Sequence, residues 1–593
     1  MESKIKTRIF TSLSLASIFL ILPLFETSAA HLPDEEEILL STISQSYRSR
    51  VTKMLGVNRI TDLNRFDISV KLNPDRNELE GLVDMSIRNT SSVTLNDIIL
   101  RLWPNTMGES GRRMEIVSAR AGNTDVRFSH LSDSTVRVAL PSAVRPGDKI
   151  QIKINFAAAI PVISGDNLNM FALEVEQMFK MLSGSKSKPA SSDYGVFATD
   201  GKVWNLGGFY PVPGNLGPSG WDVEGGNGIG DFSFGPPANY FVLIKVPADF
   251  KVISTGRTIS RETSGGYVMH FVVAGASRDF VIEAGKKYET IKTNVDGTEV
   301  TAHYLTGDSK SGKHMMDVAR DSFLFFNKKF GPYPYTEFKV VEAPITGGAG
   351  GVEFPGLVTI AEMLVHQPDK SSKTGEMDFF SLAFSSSVLA DLLDFVVAHE
   401  TAHQWWSSLV GSDPIKYPYV DESMASYSAV LYFEDIFGKE KGKSFLDTQV
   451  RMNYQIMRLF GGKDRPVITP ASDYDSMIDY TGIVYGKAPL YHYALRNLLG
   501  SKAYYDVCAE YTKRYAFKIA GPQSFLETAV ALNPSLRGRL EELYRHWMKE
   551  KNGDRDIGTP DLNSILEMVS GHKFDGSNKE FMEEMFPMMK QYR

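Results

Sequence analysis

Cysteine is almost missing from this 593-residue chain: Cys508 stands alone, so no internal disulfide can form. A lone thiol reads most simply as a small buried hydrophobe. A basic excess is missing too. The formal net charge is −7, and phosphate backbones are held by basic faces, so nucleic acid is not expected as a partner. Past the first thirty residues no apolar stretch is long enough to cross a bilayer, and the remaining chain is expected to be soluble.

What is present begins with a leader. Lys4, Lys6 and Arg8 are followed by the mostly apolar run Ile9 to Phe25 and by the small residues Ser28-Ala29-Ala30. Residues 1–30 therefore read as a secretory signal, with an uncleaved anchor as the alternative. The rest is expected outside the cytoplasm (periplasmic, extracellular or lumenal), and at a membrane only if the leader is retained.

A chain this long needs more than one core. Residues 31–57 predict a helical lead-in, with Ile38, Leu39 and Ile43 as its first apolar positions. From Phe66 the period becomes two: Leu79, Val83, Met85 and Ile87 alternate with Glu80, Asp84, Ser86 and Arg88, which is a strand with one wet face. Similar runs separated by turn residues make 58–287 an all-β domain. Within it, Leu182–Ser192 reads as a surface insertion, and Asn205–Pro237, rich in Gly and Pro, as a long ordered loop. After about residue 310 the helical period takes over, with an amphipathic helix over Lys313–Phe330 and a long helix over Ser387–Trp406. Residues 288–552 thus read as a mainly helical domain and 553–593 as a short tail. The fold class predicted is α+β and multidomain.

The chemistry sits in Phe-Val-Val-Ala-His-Glu-Thr-Ala-His-Gln-Trp-Trp, residues 395–406. His399 and His403 are four apart, so on a helix they share a face and can grip one ion. Glu400 lies about 100° around the axis, near enough to work on a water at that ion without displacing a ligand. Two histidines at this spacing also occur on ordinary helices. Here the neighbours Val396 and Val397 make the helix apolar, where two unliganded imidazoles are costly to bury. Glu422 lies nineteen positions past His403, after Gly411, Pro414 and Pro418 end the helix. A second helix starting near Asp421 can bring it back as the third ligand. The reading is HExxH-x18-E, with one Zn²⁺ ion.

His399-Glu400-x-x-His403-Gln404-Trp405 followed by Val420-Asp421-Glu422 resembles the aminopeptidase N family of gluzincins. Leu102-Trp103-Pro104-Asn105, Trp204 with Phe209-Tyr210-Pro211, Phe330–Tyr335 and Tyr544–Trp547 fall in the order that family would place them, so the resemblance spans roughly residues 58–550. It implies a saddle-shaped N-terminal β domain followed by a thermolysin-like catalytic domain. Gly350-Gly351-Val352-Glu353-Phe354 resembles the family's GAMEN segment, which implies Glu353 as anchor of a substrate's α-amine and Gly350 and Gly351 as backbone alongside the peptide. Val352 and Phe354 replace the family's methionine and asparagine. Tyr485-Gly486-Lys487-Ala488 resembles the family's Tyr-x-Lys-Gly segment, implying Tyr485 as the oxyanion donor, with Tyr480 as a possible helper. The function expected is zinc-dependent removal of the first residue of short peptides by an ion-activated water. The alternatives are a metallo-endopeptidase, a zinc hydrolase of another carbonyl or epoxide, and an inactive binding or scaffold homologue. Oligomeric state and preferred first residue are not legible.

Overall fold

The computed structural model describes residues 34–106, 112–163, 194–223, 229–231, 235–346, 349–366, 386–459 and 461–558. The leader, the insertion 182–192 and all but the first six residues of the tail lie outside them.

The lead-in is three short helices, Glu35–Ser41, Gln45–Arg48 and Val51–Leu55, where the sequence suggested one lead-in segment. Asp34 caps the first through its side chain, and Thr42 closes it by donating to Leu39 O at 2.7 Å. Ile43 then leaves the helix to bridge Tyr335, which breaks the run.

An eight-stranded sheet dominates the N-terminal half. In spatial order it runs Arg257–Ser264, Tyr267–Ser277, Ala238–Pro247, Asn64–Asn73, Glu78–Arg88, Lys149–Ala159, Met114–Ala121 and Thr124–Asp125. The period-two reading holds in Glu78–Arg88, where Val83, Met85 and Ile87 are buried and Arg88 is exposed. Asn64–Asn73 pairs parallel with Ala238–Pro247, a long-range closure that joins the start of the β half to its later strands. Two four-stranded sheets pack with it around one apolar core. Among the described residues the strands do not close into a barrel.

The helical half is built on a five-stranded sheet in the order Tyr288–Val295, Thr298–Leu305, Glu337–Ala343, Leu357–Ala361 and Gly351–Phe354. Gly351–Phe354, the segment carrying Glu353, is its edge strand and runs antiparallel to Leu357–Ala361. Helix Ser309–Phe330 buries Met315, Met316, Ala319, Phe323, Phe326 and Phe330. Phe323, Phe326 and Phe330 close around Trp405, whose indole nitrogen donates to Gly331 O at 2.8 Å. Trp406 donates to Ser428 Oγ at 3.0 Å. Both tryptophans thus pack behind the metal motif and stiffen it. No described helix is long and apolar enough to cross a membrane.

Candidate metal centre

The motif helix spans Ser386–Ala402, ending four residues before the Trp406 that the sequence suggested. Its last turn tightens, with Gln404 N bonding to Thr401 O and Trp405 N to Ala402 O, and Ser407 takes φ 123° to turn the chain away. His403 nevertheless keeps helical spacing, because its N–H still reaches His399 O at 3.2 Å. The return helix begins at Tyr419, two residues ahead of expectation, and puts Glu422 in its first turn.

Three side chains converge there. His399 Nε2 and His403 Nε2 lie 3.1 Å apart, and they stand 3.2 and 3.3 Å from Glu422 Oε2. A tetrahedral ion with ligands at about 2.0–2.1 Å sets its ligand atoms about 3.3–3.4 Å apart, so the triangle matches zinc's dimensions. The outer nitrogens are already engaged. His403 Nδ1 sits 2.7 Å from Trp406 O, where it must be the donor, and His399 Nδ1 is 3.3 Å from Ser426 Oγ. That tautomer leaves the Nε2 lone pair of His403 facing inward. All three residues are buried, and Glu422 Oε2 has no hydrogen-bond donor among the described residues. The inward lone pair of His403, the Nε2 of His399 and an orphaned carboxylate oxygen converge closely enough that one cation among them would satisfy all three. The donor set fits zinc.

The other residues singled out in the sequence gather around this triangle. Glu400 is buried with Oε2 unpartnered among the described residues, and one ligand-capable atom each of Glu353, Glu400 and His403 fall within 4.8 Å of one another. Tyr485 donates to Glu422 Oε1 at 2.5 Å. Burial, with the Glu422 carboxylate beside it, pushes the phenol well above its ordinary pKa, so it stays a donor. Tyr480 is buried with its ring 5.9 Å from that of Tyr485, and its hydroxyl has no hydrogen-bond partner among the described residues. Gly350 and Gly351 lie against the motif helix. A Cβ on Gly351 would meet Glu400 Cγ and Thr359 O, each at 2.7 Å, and one on Gly350 would meet Val396 Cγ2 at 2.7 Å. Gly351→Ala must therefore displace either the edge strand or Glu400. Peptidase activity is expected to fall much further than thermal stability, which parallel rate and melting measurements would check.

Two residues of the site had no role assigned by the sequence pattern. Gln404, fully buried, donates to Phe354 O at 3.0 Å and accepts from Gly356 N at 2.8 Å and Tyr333 OH at 3.1 Å. It pins the strand bearing Glu353 to the turn bearing His403. Asp231, on the long Gly-rich loop, lines the same cleft and forms no ion pair among the described residues. Burial, with Glu353 as its strongest like-charged neighbour, holds its carboxyl well above the usual range.

The cleft measures about 390 Å³ and takes walls from both halves: Tyr194, Asp231 and Arg278 from one, Glu353, Val396 and Tyr485 from the other. Arg278 fastens the two. It donates to Gly235 O within the β half, and to Ser408 O, Leu409 O and Lys518 O at 3.0, 3.3 and 2.8 Å across the boundary.

The chain thus sets a β-sheet domain ahead of a helical one, with two histidines and a distant glutamate at the foot of a shared cleft. Residues 314–547 match the Peptidase family M1 domain, in the direction the resemblance implied. Aminopeptidase M1-B of Oryza sativa subsp. japonica is 28% identical over 297 residues, 49% of this chain and 30% of that protein. Aminopeptidase M1 of Arabidopsis thaliana is 25% identical over 260 residues, 43% of this chain and 27% of the plant protein. The matched stretch therefore spans less than a third of either relative. The crystal structure of an M1 zinc metallopeptidase from Deinococcus radiodurans superposes with a TM-score of 0.55 at 16% identity, over 82% of this chain and 93% of that one. At that identity it supports the fold alone.

Proposed function

We propose that the chain is an aminopeptidase that uses one zinc ion to hydrolyse the first peptide bond of short peptides. The observation carrying this reading is the placement of Glu353 beside Glu400 and His403, at the rim of the three-donor triangle. A carboxylate fixed at that distance measures one residue from a peptide's charged end, and so favours exopeptidase cleavage.

His399, His403 and Glu422 would hold the ion, which supplies Lewis acidity to water and to the scissile carbonyl. Glu400 takes the proton of the attacking water and later delivers it to the leaving amine. Tyr485 donates to the oxygen that gains negative charge. Glu353 accepts hydrogen bonds from the substrate's α-ammonium, and the edge strand Gly351–Phe354 lies ready to pair with the peptide backbone. Phe354, in place of the family's asparagine, turns its side chain into the β-half core and leaves its carbonyl to Gln404. Export rests on the pattern of residues 1–30.

A free-amine peptide compared with its N-acetylated twin tests the reading. The acetylated form should be cut far more slowly. Glu353→Gln should lower kcat/KM on the free peptide about 10- to 100-fold, the worth of a hydrogen bond to a charged group. Equal turnover of the two peptides would remove the amine anchor and leave an endopeptidase.

A further inference from the structure

Two residues past Tyr485 the chain places a lysine with no solvent exposure. Lys487 Nζ donates to three acceptors: Asp464 Oδ1 at 2.7 Å, Arg465 O at 2.9 Å and Glu550 O at 2.8 Å. An ammonium has three protons, and all are used. None of the partners belongs to the element carrying Lys487. Asp464 and Arg465 lie on a loop, and Glu550 follows the last long helical stretch.

The knot extends further. The second oxygen of Asp464 accepts from Gly553 N at 2.8 Å. One residue on, Asp554 accepts from Tyr454 OH at 2.8 Å and from Arg458 Nε and Nη2 at 2.6 and 2.8 Å. Tyr454 in turn backs the element carrying Lys487: a Cβ on Gly486 would come within 2.6 Å of Tyr454 N. Residues 550–554 thus close over the rear of the segment whose front presents Tyr485 to Glu422.

That segment, Gly482–Lys487, is one wide turn of π-helix. Such wide turns are rare and cluster at functional sites. A buried ion pair is a weak source of stability, since apolar residues of similar volume often serve as well or better. What a fully satisfied knot does supply is a fixed geometry.

We propose that Lys487, held by Asp464 and the 550–554 segment, is a positioning residue that sets the reach of the Tyr485 hydroxyl toward the reacting carbonyl. The proposal rests on the reading of Tyr485 as oxyanion donor. Lys487 touches no substrate and acts through the π-helical turn.

A double-mutant cycle tests it, using the full zinc-loaded chain and a free-amine reporter peptide. The four proteins are wild type, Lys487→Met, Tyr485→Phe and the double variant, each measured for kcat, KM, zinc content and melting temperature. Lys487→Met should lower kcat about 10- to 100-fold, the usual cost of losing an outer supporting partner, with KM and zinc content unchanged. In the Tyr485→Phe background the same change should have almost no effect on kcat, because the hydroxyl being positioned is already gone. A full repeat of the loss in that background overturns the latch while leaving Tyr485 as the donor. Wild-type kcat in Tyr485→Phe overturns both. If Lys487→Met does not fold, Arg458→Met loosens the same segment from its half-exposed side. It should give a smaller loss of the same pattern, and additivity with Tyr485→Phe would again overturn the proposal.

Discussion

Glu400→Gln is expected to lower kcat by about 10²–10⁴-fold while zinc content, KM and thermal stability stay near wild type. The carboxylate is a buried group with one oxygen unpartnered among the described residues, packed between the motif helix and the edge strand at Gly351. Glutamine has nearly the same volume and keeps that packing, but its amide has no basic oxygen able to accept a proton from water. The three ligand atoms lie on other side chains, so the ion should remain. Peptide turnover measured beside zinc analysis decides the matter. Retained turnover would mean that the proton goes elsewhere, and lost zinc would mean that Glu400 helps hold the metal.

Glu422→Gln should give the opposite pairing: no detectable turnover, and a zinc affinity lowered more than 100-fold. Even changes in outer partners of metal ligands cost about 10–100-fold, and here a charged ligand itself is removed. Glu422 supplies the anionic charge within the triangle, and its Oε2 stands within 3.3 Å of both imidazole nitrogens. Binding of an ion to the folded state adds to stability by mass action. Chelation should therefore lower the melting temperature of the wild type and leave that of Glu422→Gln almost unmoved. A variant that still binds zinc tightly would show that another group completes the coordination, and the ligand set would have to be redrawn.

The parts of this site legible in the sequence were those fixed by local geometry. His399, Glu400 and His403 are one helical turn, and their spacing alone sets their relation. Glu422 was reachable because Gly411, Pro414 and Pro418 forced a turn and a second helix could only return. Glu353 and Tyr485 came through resemblance, since a lone Glu or Tyr has no spacing to betray it. The period-two alternation around Val83 and Met85 made the β half visible, but the parallel pairing of Asn64–Asn73 with Ala238–Pro247 was not. Such a contact links positions about 170 apart and leaves no periodic trace. The same holds for Gln404, whose three bonds run to residues 48 to 71 positions away. Nor could periodicity show that the motif helix ends at Ala402. That end depends on the tight turn through Trp405 and Ser407, which tertiary packing imposes.

Arg278 gives the two halves a common fate. Its guanidinium sits almost wholly out of water, and among the described residues its hydrogen bonds all run to backbone carbonyls, three of them contributed by the helical half. Were the β sheets to peel away, this permanent charge would lose those carbonyls, and the turn after His403 would lose its clamp. The halves are thereby expected to melt as one cooperative unit, with the ion's grip on the protein vanishing in the same transition rather than surviving in a half-folded remnant.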